Sequence, residues 1–434
     1  MAMNIQEEYG RSEEDDTHDV VIVGAGISGS AAAILLGRLG LKILVLEKKL
    51  SSDEYKANCT TFIQASALPV IRGLGIQEEL EKEGAVRNSA LFWTEFGWIV
   101  DRLQRDKAYG HGYSVQRKKL DPLLRRKAVE VGNVTIRLGA TLDSLVESED
   151  GNIVGIGYLG ADGIRRESHA QLVILADGRN SRGADLASVP TVRRENNRFV
   201  YFAYYKNMPL KTGKTAQFWQ RDRDMGFAYP FDDDLTMLCC FVTHDQYENW
   251  RGDKFAALES FFDDLPCAPD KSQALRASRM LGMRRLDDYK RPAVHQNLAL
   301  IGDACMSCDP MSGVGCGFAL QSAQWLTECV GDALVRRDDL RPSLSAYRRK
   351  HRKMLAGHEF FIKDNATGRP MSFLEKLISR AAVADAKVAH RLHLFIGRVI
   401  SWKAFLTPPM LLRILTSNVT YARRKDELRA HEPI

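Results

Sequence analysis

The stretch Asp19 to Lys48, DVVIVGAGISGSAAAILLGRLGLKILVLEK, constrains this chain more than any other. Val20 to Val23 are all β-branched and read as a short, fully buried parallel strand. Gly24-Ala25-Gly26-Ile27-Ser28-Gly29 then spells G-x-G-x-x-G, and an Ala/Leu-rich helix follows from Ser30 to Leu39. A second strand, Lys42 to Leu46, ends at Glu47 and Lys48. The three glycines play separate physical roles. Gly24 permits the tight turn, Gly26 leaves room for a pyrophosphate, and Gly29 lets the helix approach the strand. A diphosphate would rest on the unpaired N–H groups and positive dipole end of that helix. Glu47 would accept hydrogen bonds from a ribose. Framed by strand, helix, strand and acid, the fingerprint points to dinucleotide binding rather than to an ordinary Gly-rich turn.

Composition adds only loose bounds. The chain has 434 residues, 45% hydrophobic and 27% charged, which is enough for two or three substructures and a large core. The eight cysteines follow no regular framework, and the polar, acidic N terminus has no signal-peptide pattern, so a reduced cytoplasmic setting is expected. Residues 1–18 read as a disordered acidic leader. The net charge of +6 is uneven: residues 341–434 hold nineteen Lys and Arg against seven Asp and Glu, on an acidic body.

Along the chain, Ser66 to Gly75 reads as a short helix, Trp93 to Leu103 as a strand or hairpin, and Leu120 to Val131 as a helix. Arg117 stands just before that helix; by itself it reads as a surface arginine in a charged run. A strand from Arg165 to Leu175 ends at Asp177-Gly178, which places a carboxylate at the carboxyl edge of a sheet. Arg198 to His244 is rich in aromatic and β-branched runs and reads as antiparallel strands, followed by one amphipathic helix from Gln246 to Leu265. Tyr201, Phe218, Trp219, Tyr229 and Phe241 could wall an apolar pocket, although for any single one a place in the sheet core is the default. Asn297 to Leu326 holds a second strand–loop–helix cradle: Leu298 to Ile301, Gly302-Asp303, Pro310, Gly313-Val314-Gly315 and Gly317, then a helix from about Phe318 to Leu334. No second complete fingerprint appears. The pattern therefore points to one extended cofactor touched at both ends.

The order G-x-G-x-x-G, Arg before a helix, strand–Asp-Gly, then strand–Gly-Asp–Pro–glycines resembles the FAD-dependent group A monooxygenases, the p-hydroxybenzoate hydroxylase-like flavoproteins. The resemblance spans roughly Asp19 to Arg349 and implies an α/β fold. This would be a Rossmann-like FAD-binding domain of the glutathione reductase type (residues 19–190 and 286–340). An inserted antiparallel substrate sheet (191–285) and a basic helical C-terminal region (341–434) would complete it. It implies that Gly24, Gly26 and Gly29 hold the FAD pyrophosphate, that Glu47 with Lys48 lies at the adenosine ribose, and that Arg117 contacts the cofactor. Asp177 and Gly178 would serve FAD and NAD(P)H binding. Gly302 and Asp303 would meet the ribityl chain, and Pro310, Gly313, Val314 and Gly315 the flavin ring. The implied reaction uses transient NAD(P)H and O2 to hydroxylate or epoxidise an aromatic or apolar small molecule through a flavin C4a-hydroperoxide. No metal or catalytic triad is required, and no acid or base on the substrate can be chosen from sequence.

Relatives of that family leave other branches open. Phe227-Ala228-Tyr229-Pro230-Phe231 resembles the cavity motif of geranylgeranyl reductases. A tryptophan-type halogenase would carry G-W-x-W-x-I-P and a catalytic lysine; the nearest stretch, Gly226 to Pro230, lacks both tryptophans, and Lys56, the only plausibly placed lysine near the first βαβ unit, has surroundings that do not match. Cys305-x-x-Cys308 raises a flavin–disulfide oxidoreductase, for which a separate nicotinamide domain is missing. A flavoprotein that only holds FAD is the non-enzymatic reading. The tail from His390 to Leu415 lacks an apolar run long enough to span a bilayer. It is expected to pack over the substrate entrance, with peripheral contact to an anionic membrane as the alternative. Nucleic-acid binding is not expected, because basic and apolar residues are interleaved there.

Overall fold

The computed structural model describes residues 17–103, 111–232 and 234–433. The acidic leader, up to residue 16, lies outside them; Thr17 and His18 already belong to a strand. That strand, β1 (Thr17–Val23), runs into helix α1 (Ile27–Gly37) and returns as β2 (Ile43–Glu47). A hairpin follows, β3 (Ala90–Thr94) and β4 (Gly97–Ile99), then α2 (Arg117–Val129), β5 (Val134–Leu138) and β6 (Arg165–Leu175). α2 starts three residues earlier than the apolar spacing indicated, so Arg117 is in its first turn rather than before it.

β6, β1, β2 and β5 pair in parallel, and β11 (Leu298–Leu300), reached much later in the chain, extends the sheet on the far side of β6. Val20–Val23 of β1 and all of β2 are buried on both faces, which is why they read as unbroken apolar runs.

Between β6 and β11 the chain builds a second sheet from β7 (Arg198–Lys206), β8 (Ala216–Arg221), β9 (Asp224–Pro230) and β10 (Leu235–Thr243). These pair antiparallel in the order β7-β10-β9-β8, as their alternation and polar turns dictate. The sheet does not end there. β3 pairs parallel with β8, so the early hairpin is recruited into it. The single helix expected from Gln246 to Leu265 is instead two short ones, Tyr247–Trp250 and Lys254–Ser260. The break falls at Arg251-Gly252-Asp253, where Asp253 accepts from the Phe255 and Ala256 N–H groups and starts a new helix.

After β11, α3 (Gly315–Arg336) and α4 (Arg341–Ala366) pack on the parallel sheet. The tail then folds into α5 (Phe373–Ala384), α6 (Ala386–Ile396) and α7 (Pro408–Arg423). Ala381, Val388, Met410 and Ile414 form a small core with Ile99 of β4, so the tail packs on the recruited hairpin. No helix among the described residues is long and apolar enough to cross a membrane.

Candidate functional site

The first cradle is built by the turn from β1 into α1. Gly24 adopts φ +102°, and a Cβ there would lie 2.6 Å from the Ala176 carbonyl oxygen at the end of β6. Gly29 is more constrained still: a Cβ would stand 1.8 Å from the Gly24 carbonyl oxygen. Around Gly26 the opposite holds, with no atom within 4 Å of a Cβ position. The first turn of α1 carries no acidic side chain, and no side chain caps it. Free N–H groups therefore face open space, which fits a diphosphate. The buried Glu47 accepts from the Ala25 N–H at 3.0 Å and the Lys49 N–H at 3.1 Å, tying the end of β2 to the glycine loop. Lys48 beside it is exposed.

Asp177 and Gly178 sit directly against this turn, since the Asp177 Cα would be 3.0 Å from a Gly24 Cβ. One Asp177 oxygen accepts from the Gly183 N–H at 3.1 Å; the other is buried without a partner, and burial raises its carboxyl above the ordinary value. The second cradle meets the first at Gly302, where a Cβ would lie 2.5 Å from Ser28 Oγ in the first turn of α1. Asp303 follows. Burial pushes its carboxyl up, but Lys56, with Nζ 3.0 Å from Oδ2, outweighs this and holds it below the ordinary value.

Arg117 is buried and forms a two-pronged pair with Asp121 at 2.6 and 2.9 Å. Burial opposes its charge, yet the Asp121 carboxylate holds the guanidinium above its ordinary value. The Lys56 N–H donates to the same carboxylate at 3.2 Å, so residues 56–59 bridge α2 to the second cradle, with Cys59 Sγ 3.9 Å from Cys316 Sγ. Asp309 and Pro310 lead into a short 3-10 turn, Gly313 caps it at φ +62°, and Val314 and Gly315 open α3. Sequence reasoning placed Asp177 and Gly178 at the carboxyl edge of the sheet and read residues 302–317 as a second cradle, but it did not single out Asp121, Cys59 or Cys316. It missed Arg125, which is buried under the loop and donates to the carbonyls of Ala25 (3.2 Å), Ser52 and Glu54 (2.6 Å). Its only signal was a second arginine at helical spacing in RKKLDPLLRRK.

Beside Gly313 and Val314 lies a cavity of about 580 Å³. Phe62, Phe92 and Phe218 wall it from the sheets, and Phe361, His393 and Phe395 from the tail. Of the five aromatic residues proposed as pocket walls only Phe218 lines it. Tyr201 and Trp219 face the opposite side of the antiparallel sheet, while Tyr229 and Phe241 are buried behind Phe218 and Phe227. His390 approaches Asp101 at 3.0 Å, and His393 Nε2 lies 2.9 Å from the Ala90 carbonyl oxygen, fastening α6 to the recruited hairpin. The tail from His390 lies over this cavity, where it was expected to cover the substrate entrance, but the sequence pattern did not single out Phe361, His393 or Phe395 as walls. Cys305 and Cys308 are free thiols. Burial pushes Cys305 up to about 12 and Cys308 well above its ordinary value, the reverse of what an attacking thiolate needs.

Residues 17–354 match the family described as FAD binding domain. Among curated relatives, digeranylgeranylglycerophospholipid reductase 2 of Methanopyrus kandleri is 33% identical over 334 residues, covering 76% of this chain and 81% of that protein. The 1H-pyrrole-2-carbonyl-[peptidyl-carrier protein] brominase of Pseudoalteromonas luteoviolacea is 23% identical over 350 residues, covering 77% and 82%. Among solved structures, a flavin-dependent brominase matches with a TM-score of 0.72 at 19% identity, over 94% of this chain and all of that one. The p-nitrophenol 4-monooxygenase of Pseudomonas putida DLL-E4 matches with a TM-score of 0.72 at 16% identity, over 90% and 100%. At these identities the two structures establish the shared fold.

Proposed function

Because the chain belongs to the FAD-binding-domain family of group A flavin monooxygenases and is an FAD-dependent oxidoreductase, we propose that it uses NAD(P)H and O2 to hydroxylate or epoxidise an aromatic or apolar small molecule. The observation that carries this reading is the aromatic cavity beside Gly313 and Val314. Its volume suits one small organic molecule, and its walls are largely apolar. Electron transfer and oxygen activation are the chemistry FAD supplies when bound.

The chain's own residues bind, orient and exclude water. Gly24, Gly26 and Gly29 keep the α1 N terminus open for the diphosphate, with Glu47 and Lys48 at the ribose end. Arg117, Asp177, Gly178, Gly302 and Asp303 would hold the middle of the cofactor, and Pro310, Gly313, Val314 and Gly315 would hold its ring. α4 and α6 close the cavity over the substrate and keep water from the reacting face.

Halogenation is the second reading, favoured by the brominase relative. The two separate in one experiment. The FAD-loaded enzyme is reduced anaerobically with NADH or NADPH, mixed with 18O2, and its products analysed with and without bromide across a panel of apolar and aromatic compounds. Product carrying 18O supports oxygenation, and brominated product moves the assignment to halogenation. Substrate reduction without oxygen uptake would sink both in favour of a double-bond reductase.

A further inference from the structure

Four arginines line the cavity, and three of them face carboxylates. Arg198 lies 3.5 Å from Asp309, Arg223 pairs with Asp245, and Arg369 pairs with both Asp364 and Glu375. Arg398 differs. Its Nε donates to Gln64 Oε1 and its Nη1 lies 3.5 Å from Gln321 Oε1, both neutral acceptors. Its Nη2 is buried without a hydrogen-bond partner, and among the described residues no carboxylate pairs with it. The guanidinium lies over the Phe318 ring, with Cζ 4.1 Å from the centroid. Burial without a neighbouring acid pulls it down to about 9.

The surroundings add positive field rather than relieve it. Nη2 abuts Gly317 in the first turn of α3; a Cβ there would stand 2.4 Å from it. That turn has no acidic side chain, so the positive end of a 22-residue helix faces the same region. Arg398 is also held in a costly backbone conformation. It takes φ +60° directly after Gly397, where a residue other than glycine is disfavoured by about 1–2 kcal/mol. Gln64 fixes it from the other side, since its Nε2 donates to the Ser312 carbonyl at 2.8 Å in the loop that opens α3. A buried, unpaired cation of this kind is expensive unless an anion completes it.

We propose that Arg398 is the anion-recognising residue of the cavity, and that the substrate is an apolar or aromatic molecule bearing an acidic group. The aromatic walls would hold the apolar body, and the guanidinium, which has no acid of its own, would take the carboxylate in a charge-assisted hydrogen bond. The proposal rests on the reading of this cavity as the substrate site of a flavoenzyme. A free halide presents the same charge to Arg398, and the experiment separates the two sources.

The oxidised FAD-loaded protein is titrated at constant ionic strength with 2-naphthoate, with neutral 2-naphthamide and with sodium bromide. Binding is followed by the flavin difference spectrum and by tryptophan fluorescence, because Trp93 and Trp402 both line the cavity. The wild type is expected to bind the acid at least tenfold more tightly than the amide. Arg398→Gln loses that preference and leaves amide affinity within about twofold, while Arg398→Lys recovers part of it. Bromide that competes with naphthoate in the wild type but not in Arg398→Gln identifies a halide as the anion; independence identifies the substrate's own acid. Equal affinity for acid and amide in the wild type overturns the proposal. So does unchanged acid affinity in Arg398→Gln at equal FAD content, including the case where only the flavin midpoint potential moves. A protein that takes up no FAD would sink the functional reading instead, and the fluorescence titration would still report on Arg398.

Discussion

Around α1, some thirty consecutive residues carry a strand, a turn, a helix and the next strand, and the contacts that demand glycine at positions 24 and 29 are with backbone atoms and the small Ala176. The cavity is assembled in the opposite way. Phe92 comes from the hairpin recruited into the antiparallel sheet, Phe218 from the sheet itself, and Phe361, His393 and Arg398 from a tail that folds back across both. Mutational effects should divide along the same line. Backbone clashes in the first region cannot be relieved by side-chain rotation, whereas cavity walls can be trimmed with the frame intact.

The largest effect is expected from Gly29→Val. Its Cβ would fall on the Gly24 carbonyl, so unfolding experiments should show a loss of about 3 kcal/mol or more together with loss of bound FAD. A stable Gly29→Val protein with full flavin content would break the comparison outright. Arg125→Met comes next, because it strips the donor from three carbonyls, those of Ala25, Ser52 and Glu54. Chemical denaturation should register about 2–3 kcal/mol.

Gly26→Ala sharpens the contrast with Gly29. The space around it is open and its φ of −77° is ordinary, so the apoprotein should keep its stability within about 0.5 kcal/mol. FAD affinity, measured by titration, should nevertheless fall about tenfold, or 1.4 kcal/mol. On the cavity side, Phe361→Ala removes an edge contact with Phe395 at 5.2 Å. It should cost about 1 kcal/mol in ligand binding, measured against an unchanged FAD-to-protein ratio.

The smallest effect concerns the three-stranded sheet formed by residues 192–194, 288–290 and 306–307. Burial, reinforced by Asp309, raises Asp288 to about 7, and its Oδ1 has no partner. A carboxyl whose folded value lies above its unfolded one favours the fold while protonated, and that contribution fades as pH rises through about 7. Thermal unfolding of the wild type should therefore lose about 1 kcal/mol between pH 6 and 8, and Asp288→Asn should abolish that slope.

How much could be read in advance follows the same division. The glycine fingerprint, Glu47, Asp177 and Gly302-Asp303 were legible because each sits at a strand end, where the local pattern of apolar run, turn and helix already specifies its direction. That Arg117 is not a surface residue was suggested only by the order of motifs, as its isolated surroundings resemble a charged surface run. The aromatic residues of the antiparallel sheet were recognised, but not which of them face the cavity. Along each strand alternate side chains point to opposite faces, and both faces of this sheet are buried, by Trp250 and Leu258 on one side and by Phe62 and Leu286 on the other. The helix expected from Gln246 to Leu265 was lost to Gly252 and to the N-cap at Asp253, local signals that outweighed the apolar spacing.

By itself, then, the sequence determined the α/β frame, the dinucleotide turn and the second cradle, since these depend on backbone geometry over a few tens of residues. Only the tertiary structure decided that the hairpin at residues 90–99 joins a sheet formed more than a hundred residues later, and which residues of the tail, expected to cover the substrate entrance, wall the cavity. It alone decided that Arg398 meets Gln64 and α3 without an acid beside it. Those contacts join segments between 77 and 334 residues apart, and no local propensity records which distant surface a half-apolar helix will bury.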